Sequence, residues 1–352
     1  MAETMMKHTD LYWNDLQKIQ TTIPNLSELK NKSVLITGAG GLIASALVDF
    51  LISLNDTCKM NVNIYAAARS KEKIQSRFQE NFFRKDLHFL SYNAEQPFDT
   101  KEYFHYIIHG ASPANPALYV SKPVETMIAN FNGLFYLLDY AKTFHAKRVL
   151  FISSSEIYGI KEDNTPYSEE DYGGIDILDF RACYPSAKQA SETLCAAYFQ
   201  EYQVDSVIVR PGHIYGPTIT DNDTRASSQF LRNAVSGQDI VMKSDGNQIR
   251  SYCYIADCIS SVFTVLLNGK AGHAYNISNP DSIVSIREMA ECIAKNSGRR
   301  LLFEIPSDKE KKGYNRMVNS SLASRKIEKL GWRGLFDLQT GINHSIRILR
   351  GE

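Results

Sequence analysis

A chain of 352 residues, at roughly 150 residues per domain, has room for about two domains, and a hydrophobic content of 43% supports a substantial core. Its 39 Lys and Arg cancel its 39 Asp and Glu, so no net positive field exists to gather a nucleic acid or to hold the chain at an anionic membrane. The most apolar stretch, 33–53, is interrupted by Gly38, Gly40, Gly41 and Asp49, and no membrane-spanning helix is expected. The first twenty residues carry early acidic side chains and no continuous apolar run ending at a small-residue cleavage site, which argues for a cytoplasmic protein. Six cysteines without any C-x-x-C pair suit buried, reduced thiols, and no metal site is expected.

Residues 1–31 stand apart as an N-terminal extension, in which Leu11, Trp13, Leu16 and Ile19 make one short apolar helical face suited to a packing arm or an oligomer contact. From residue 32 apolar strands alternate with amphipathic helices. Strands are expected at 33–37, 62–68, 87–91, 106–109 and 148–152, and helices at 42–54, 71–83 and 123–144. That rhythm predicts an α/β fold with a doubly wound parallel sheet over residues 32–212. Beyond it the rhythm weakens into a polar loop (218–224) and helices at 227–235, 285–295 and 321–330. Residues 213–352 read as a smaller substrate-gripping α/β domain, with some chain expected to return to the first sheet.

Directly after the first strand, Thr37-Gly-Ala-Gly-Gly-Leu-Ile-Ala44 opens a helix. The usual G-x-G-x-x-G spacing fails at Ile43, but Gly38-x-x-Gly41-x-x-Ala44 supplies small residues where a backbone must turn, approach a pyrophosphate and pack a helix on a strand. Gly38, Gly41, Leu42 and Ile43 are therefore candidate cofactor contacts, with helix N–H groups facing the phosphates. No acidic residue ends the second strand. Arg69 and Lys71 stand there instead, which favours a 2′-phosphate and leans the cofactor, NAD or NADP, toward NADP. Asn93, after the third strand, is placed to reach adenine.

Two further segments carry the chemistry. The strand ending Phe151-Ile-Ser-Ser154-Ser155-Glu156-Ile-Tyr-Gly159 brings hydroxyls to the carboxyl end of a parallel sheet, where open sheets hold ligands. Tyr184 and Lys188, four apart, share one helix face, and an adjacent ammonium is expected to bring the phenol toward a working acidity. A serine hydroxyl at that strand end is placed to hydrogen-bond the same substrate oxygen.

Together with His109-Gly-Ala-Ser-Pro-Ala-Asn-Pro116, Arg210-Pro-Gly-His-Ile-Tyr-Gly-Pro217, Asp245-Gly-Asn-Gln-Ile-Arg250 and Arg181-Ala-Cys-Tyr184, these segments resemble the extended short-chain dehydrogenase/reductases, a Rossmann-type family of nucleotide-sugar epimerases and dehydratases. Within it the motifs look most similar to the UDP-glucuronate decarboxylases. The resemblance implies a tightly bound NAD or NADP, a nucleotide-diphosphate sugar as substrate, and a homodimer. It implies Ser154, Tyr184, Lys188 and Glu156 as catalytic groups. Ala111 and Lys188 would also touch the cofactor, and Ser112, Ser155, His213, Arg225, Arg250 and Arg316 the substrate. For Arg250 a second expectation stands beside the first: a structural ion pair with Asp257. The reaction would begin with oxidation at sugar C4 and end in decarboxylation, in epimerisation or 4-reduction, or in 4,6-dehydration. Relatives that dehydrate carry Asp-Glu where this chain has Ser155-Glu156, and decarboxylases carry acidic-Glu-Gly between the catalytic Tyr and Lys where this chain has Pro-Ser-Ala. A catalytically silent NAD(P)-binding sensor is the reading from another class, against which the intact Ser154, Tyr184 and Lys188 weigh.

Overall fold

The computed structural model describes residues 6–304 and 317–352, so Arg316 lies outside the described residues. The strands run, in chain order, β1 (Ser33–Thr37), β2 (Asn63–Ala68), β3 (Leu87–Ser91), β4 (Tyr106–His109), β5 (Arg148–Ile152), β6 (Ser206–Pro211), β7 (His213–Tyr215), β8 (Ile240–Met242), β9 (Ile249–Tyr254), β10 (Ala274–Ile277), β11 (Ile283–Ser285), β12 (Leu301–Phe303) and β13 (Asn319–Ser320). The helices that matter most are α1 (Asp10–Gln20), α2 (Leu42–Cys58), α3 (Lys71–Phe78), α4 (Pro116–Ser121), α5 (Pro123–Phe144), α6 (Cys183–Tyr202), α7 (Ala226–Val235), α8 (Ile255–Asn268) and α9 (Ile286–Ser297).

Seven strands form one parallel sheet in the order β10-β6-β5-β4-β1-β2-β3. All five residues of β1 and all four of β4 are buried, as the continuous apolar runs of a sheet covered on both faces require. The chain moves outward from β1 through β2 to β3, then returns to the other side of β1 as β4. The order therefore reverses between β1 and β4, and a crevice opens beyond their carboxyl ends, where ligands of such sheets bind. Thr37 and His109 pair across that point, with Thr37 Oγ1 2.8 Å from His109 Nδ1. On β6, the buried Arg210 is gripped by Glu192 of α6 at 2.6 Å and also donates to the Tyr158 hydroxyl and the Glu169 carbonyl.

A second, smaller sheet is centred on β9, with β11 antiparallel on one side and β7 and β13 parallel on the other. Side chains alternate across a strand, so Arg250 and Tyr252 share one face of β9. The register sets Ser320 beside Arg250 and His213 beside Tyr252 on that same face.

The apolar face expected before β1 serves as a packing arm: α1 packs on α2, α8 and the C-terminal helix Leu338–Arg350. Its buried set includes Tyr12 and Asp15 beside Leu16 and Ile19. The Tyr12 hydroxyl donates to Asp49 on α2, while Asp15 accepts from Tyr254 at the end of β9. The helix expected over 321–330 is helical only at Arg325–Glu328, since the Ser321 amide donates to Asn319 Oδ1 and the Leu322 amide to Ser251 Oγ, bonds that hold the chain extended. The helix expected over 71–83 stops at Phe78, because Gln79 adopts φ +50°, outside helical space, and a short tight turn follows. All six cysteines are free, but Cys58 is exposed and Cys292 half-buried, so burial covers the other four only.

Candidate active site

The glycine turn has a steric reason. Gly38 sits at φ +72°, and a Cβ there would lie 2.8 Å from the Ala111 backbone, so only glycine lets β1 and the segment after β4 come together. The Gly41 amide donates to the Gly38 carbonyl at 2.8 Å, and Gly41 caps α2. The next amides, of Leu42 and Ile43, lie in the first helical turn, where no carbonyl of the helix itself can reach them. A Cβ on Gly110 would meet the Ala44 methyl at 3.5 Å, so the small residue expected at the end of the motif does pack helix against sheet. These residues fit the pyrophosphate of a dinucleotide.

The rest of that crevice is more varied than its sequence. Arg69 is exposed at the bend after β2, and no acid among the described residues pairs with it. Asn93 is half-buried and spends its Oδ1 on the Glu95 amide, closing its own turn. The Ala111 amide donates to Thr37 Oγ1 at 3.3 Å. Ser112 turns toward α5, donating to the buried Asn130 at 2.7 Å.

Ser154, Tyr184 and Lys188 come together where β5 ends and α6 begins. Ser154 Oγ accepts from the Glu156 amide at 3.1 Å, capping a short 3₁₀ turn (Ser155–Tyr158) in which Ser155 is buried. Lys188 is 2% exposed and donates to the Ile152 carbonyl at 2.8 Å, and burial pulls its ammonium down to about 7. Tyr184 does not behave as its spacing from Lys188 suggests. Burial, and after it the negative charge of Glu156, pushes the phenol up to about 12, against the downward pull of hydrogen bonds with Ser154 and Tyr119 and of the Arg225 charge. The Lys188 nitrogen lies 5.7 Å from the ring centre, and burial still sets the direction of the shift.

Glu156 is not a free acid. Arg181 grips it through Nη1 to Oε2 at 3.0 Å and Nη2 to Oε1 at 3.3 Å. The Arg181 guanidinium lies over the Tyr119 ring at 4.8 Å, and that ring stacks on Tyr184 at 4.6 Å and 14°. Sequence reasoning missed Tyr119 altogether and used Arg181 only as part of a motif.

The opposite wall is the β9 face. Arg250 is 3% exposed and donates from Nη1 to the Ile249 carbonyl at 2.8 Å, with no carboxylate bonded to it among the described residues. The ion pair with Asp257 does not form: that carboxylate accepts from the Leu335 amide at 2.8 Å, the Phe336 amide at 3.1 Å and Asn279 Nδ2 at 3.1 Å. Burial presses the Arg250 guanidinium below its ordinary range, while Tyr252 and Glu156 counter that. His213 keeps a buried Nδ1 without a hydrogen-bond partner, and burial together with the Arg250 and Arg225 charges pushes its imidazole down to about 3. Arg225 is engaged by Asp223 at 2.9 Å, which leaves it less available than the sequence implied. Among the described residues, Gln248 Oε1 and Ser320 Oγ, like His213 Nδ1, are buried without partners, and neither Gln248 nor Ser320 was singled out in the sequence. Buried polar atoms normally find partners, so this wall is built to meet a polar ligand.

The family model described as NAD dependent epimerase/dehydratase family matches residues 34–278. A UDP-glucuronic acid decarboxylase 1 of Xenopus tropicalis is 29% identical over 93% of this chain and 74% of its own length. Among solved structures, a UDP-glucose 4-epimerase of Thermotoga maritima with UDP-glucose superimposes at TM-score 0.76 and 19% identity, covering 90% of this chain and 98% of that one. A UDP-glucuronic acid 4-epimerase of Bacillus cereus, in complex with UDP-glucuronic acid and NAD, gives 0.75 and 20% over 90% and 98%. The sheet order, the glycine turn and a family match over more than half the chain lead to one conclusion: this protein belongs to the NAD dependent epimerase/dehydratase family.

Proposed function

We propose that this protein is a nucleotide-sugar enzyme that oxidises its substrate at sugar C4 with a bound NAD(P) and acts as a UDP-glucuronate decarboxylase. The observation that carries the substrate class is Arg250, a buried guanidinium without a bonded carboxylate among the described residues, on a wall close enough to Glu156 to feel its charge. A planar fork of donors matches the oxygens of a diphosphate. The curated relatives named UDP-glucuronic acid decarboxylases support the sugar.

Gly38, Gly41 and the first turn of α2 would hold the cofactor's pyrophosphate, and exposed Arg69 its adenosine ribose, where a 2′-phosphate would favour NADP. When bound, the cofactor supplies a hydride acceptor. Tyr184 takes the proton of the C4 hydroxyl, Ser154 holds the same oxygen, and Lys188 fixes the crevice beside them. The resulting 4-ketone would stand β to a C6 carboxylate and accept the electron pair left when carbon dioxide departs; a proton at C5 and return of the hydride to C4, with Tyr184 giving its proton back to the C4 oxygen, would close a redox-neutral cycle. Glu156, gripped by both terminal guanidinium nitrogens of Arg181, would serve as a hydrogen-bond acceptor.

A second reading rests on the Tyr184-Pro-Ser-Ala-Lys188 segment, which lacks the decarboxylase pattern and suits an epimerase or 4-reductase. Incubation with UDP-glucuronate and with neutral UDP-, CDP-, dTDP- and GDP-sugars, read by mass spectrometry, separates these outcomes. Loss of carbon dioxide supports the proposal, loss of water means dehydration, and an unchanged mass with an altered sugar means epimerisation. A reduced-nicotinamide band that never appears with any of them rejects the redox mechanism.

The same proposal includes a homodimer. Val124, Met127, Ile128, Phe131 and Phe135 are exposed at helical spacing along α5, an apolar stripe suited to a second copy. Free cysteines, and the lack of any helix among the described residues long and apolar enough to cross a membrane, accord with the reducing cytoplasm.

A further inference from the structure

We propose that Arg181, through its ion pair with Glu156 and its stack on Tyr119, is a positioning residue that holds Tyr184 in place and neutralises the carboxylate nearest to it. The inference takes Tyr184 as the acid/base group and adds a residue to which no role is attached.

The arrangement has three layers. Arg181 lies 4.8 Å from the Tyr119 ring centre, and Tyr119 lies 4.6 Å from that of Tyr184 with the rings nearly parallel. Arg181 leaves the 3₁₀ turn Phe180–Ala182 immediately before α6, so the residue that starts the stack is only three positions from the residue that ends it. The Asp179 side chain caps that turn by accepting from the Arg181 amide at 2.9 Å. On the α4 side, Cys183 Sγ meets the Tyr119 carbonyl at 3.8 Å and fixes the height of the middle ring. One guanidinium therefore does two things: its face rests on an aromatic ring and its edge binds a carboxylate.

The charges around Tyr184 explain why that matters. The groups facing it are Glu156 beyond β5, Tyr119 on α4, Arg225 before α7, Ser154, and Lys188 and Arg181 of its own segment. Among them Glu156 is the only carboxylate, and its charge opposes ionisation of the phenol. In a buried site an unpaired carboxylate beside a general base raises the cost of making that base anionic, whereas a paired one presents a dipole whose field falls off sooner. Without Arg181 the full anion would act on Tyr184.

The test reads Tyr184 itself, without a substrate. The holoprotein is labelled with 3,5-difluorotyrosine, and the Tyr184 resonance is found among the 19 tyrosines by its loss in Tyr184→Phe. Its ionised fraction is followed by fluorine NMR at the alkaline pH where the unsubstituted protein is half-ionised. Arg181→Gln is expected to raise the proton affinity of Tyr184 about tenfold, Glu156→Gln to lower it, and the double variant to return to the Glu156→Gln side. Should Arg181→Gln not fold, Arg181→Lys, which keeps the charge without the planar fork, is expected to fall between the unsubstituted protein and that tenfold rise. An ionised fraction that is the same in all variants overturns the proposal, as does an equal rise in Arg181→Gln and in the double variant. Because no sugar is involved, this outcome stands apart from whether UDP-glucuronate is the substrate.

Discussion

Arg210 and Arg250 are equally hidden from water, at 8% and 3% exposure, yet their surroundings are opposite. On β6 of the large sheet, Arg210 meets Glu192, the Tyr158 hydroxyl and the Glu169 carbonyl, so its donors are consumed inside the protein. On β9 of the small sheet, Arg250 meets the carbonyl of the residue before it, and the polar neighbours His213, Gln248 and Ser320 keep unpartnered atoms. Burial alone does not separate a structural cation from a binding one. What separates them is whether the fold has already supplied the counter-charge.

The largest effect should come from removing the satisfied cation. Arg210→Met leaves Glu192 buried without its partner and is expected to cost about 3–5 kcal/mol of stability, seen as an earlier denaturant midpoint at unchanged slope. A midpoint shift below about 1 kcal/mol would erase the contrast with Arg250. Next is Tyr184→Phe, which deletes the hydroxyl proposed as the acid/base group. Turnover should fall by about 10²–10⁴-fold while the cofactor stays bound, and near-normal turnover would end the mechanism.

Arg250→Lys probes the unsatisfied side. A lysine keeps the charge but loses the fork, so KM for the nucleotide sugar should rise about tenfold, with melting temperature and cofactor affinity unchanged. A fall in melting temperature with loss of both ligands would make Arg250 structural after all. The smallest effect concerns His109, 1% exposed, whose imidazole burial pushes down to about 3. A histidine so depressed binds its proton more readily in the unfolded chain, so the stability it confers is complete above about pH 6.5 and drains away as pH falls toward 3. Between pH 7 and 5.5 the loss from His109 should be about 1 kcal/mol, and His109→Gln should lessen the slope in urea titrations by that share, leaving the share of the similarly depressed His213.

The parallel sheet could be read from the sequence because strands buried on both faces must be apolar throughout, and β1, β4 and β5 begin and end where the apolar runs do. Tyr184 and Lys188 were equally legible, since a helix brings residues four apart to one face whatever surrounds it. Their acidities were not. Burial moves both, Glu156 adds to it at Tyr184 and Glu192 opposes it at Lys188, and the partner of Glu156 is set by how the chain between 159 and 181 folds back. The proposed Arg250–Asp257 pair failed for a related reason. Asp257 is claimed by amides at Leu335 and Phe336, nearly eighty positions along the chain, and no local pattern records such a claim. The serines after Asn319 misled in the other direction, because their side-chain and backbone bonds hold extended chain where the apolar spacing alone predicts a helix.

The placement of β10 has a consequence for how such a protein can be altered. This strand comes from the second half of the sequence and pairs with β6 at the edge of the large sheet, while α1, from the other end of the chain, reaches across to Tyr254 and to the C-terminal helix. The molecule is stitched in both directions. A recombination event that exchanged everything after residue 212 would replace an edge of the large sheet along with the proposed sugar-binding face of β9, and would leave α1 facing a stranger. New sugar preferences are then more readily reached by single substitutions on the β9 face than by trading modules, which makes that face the place to start in redesigning the enzyme.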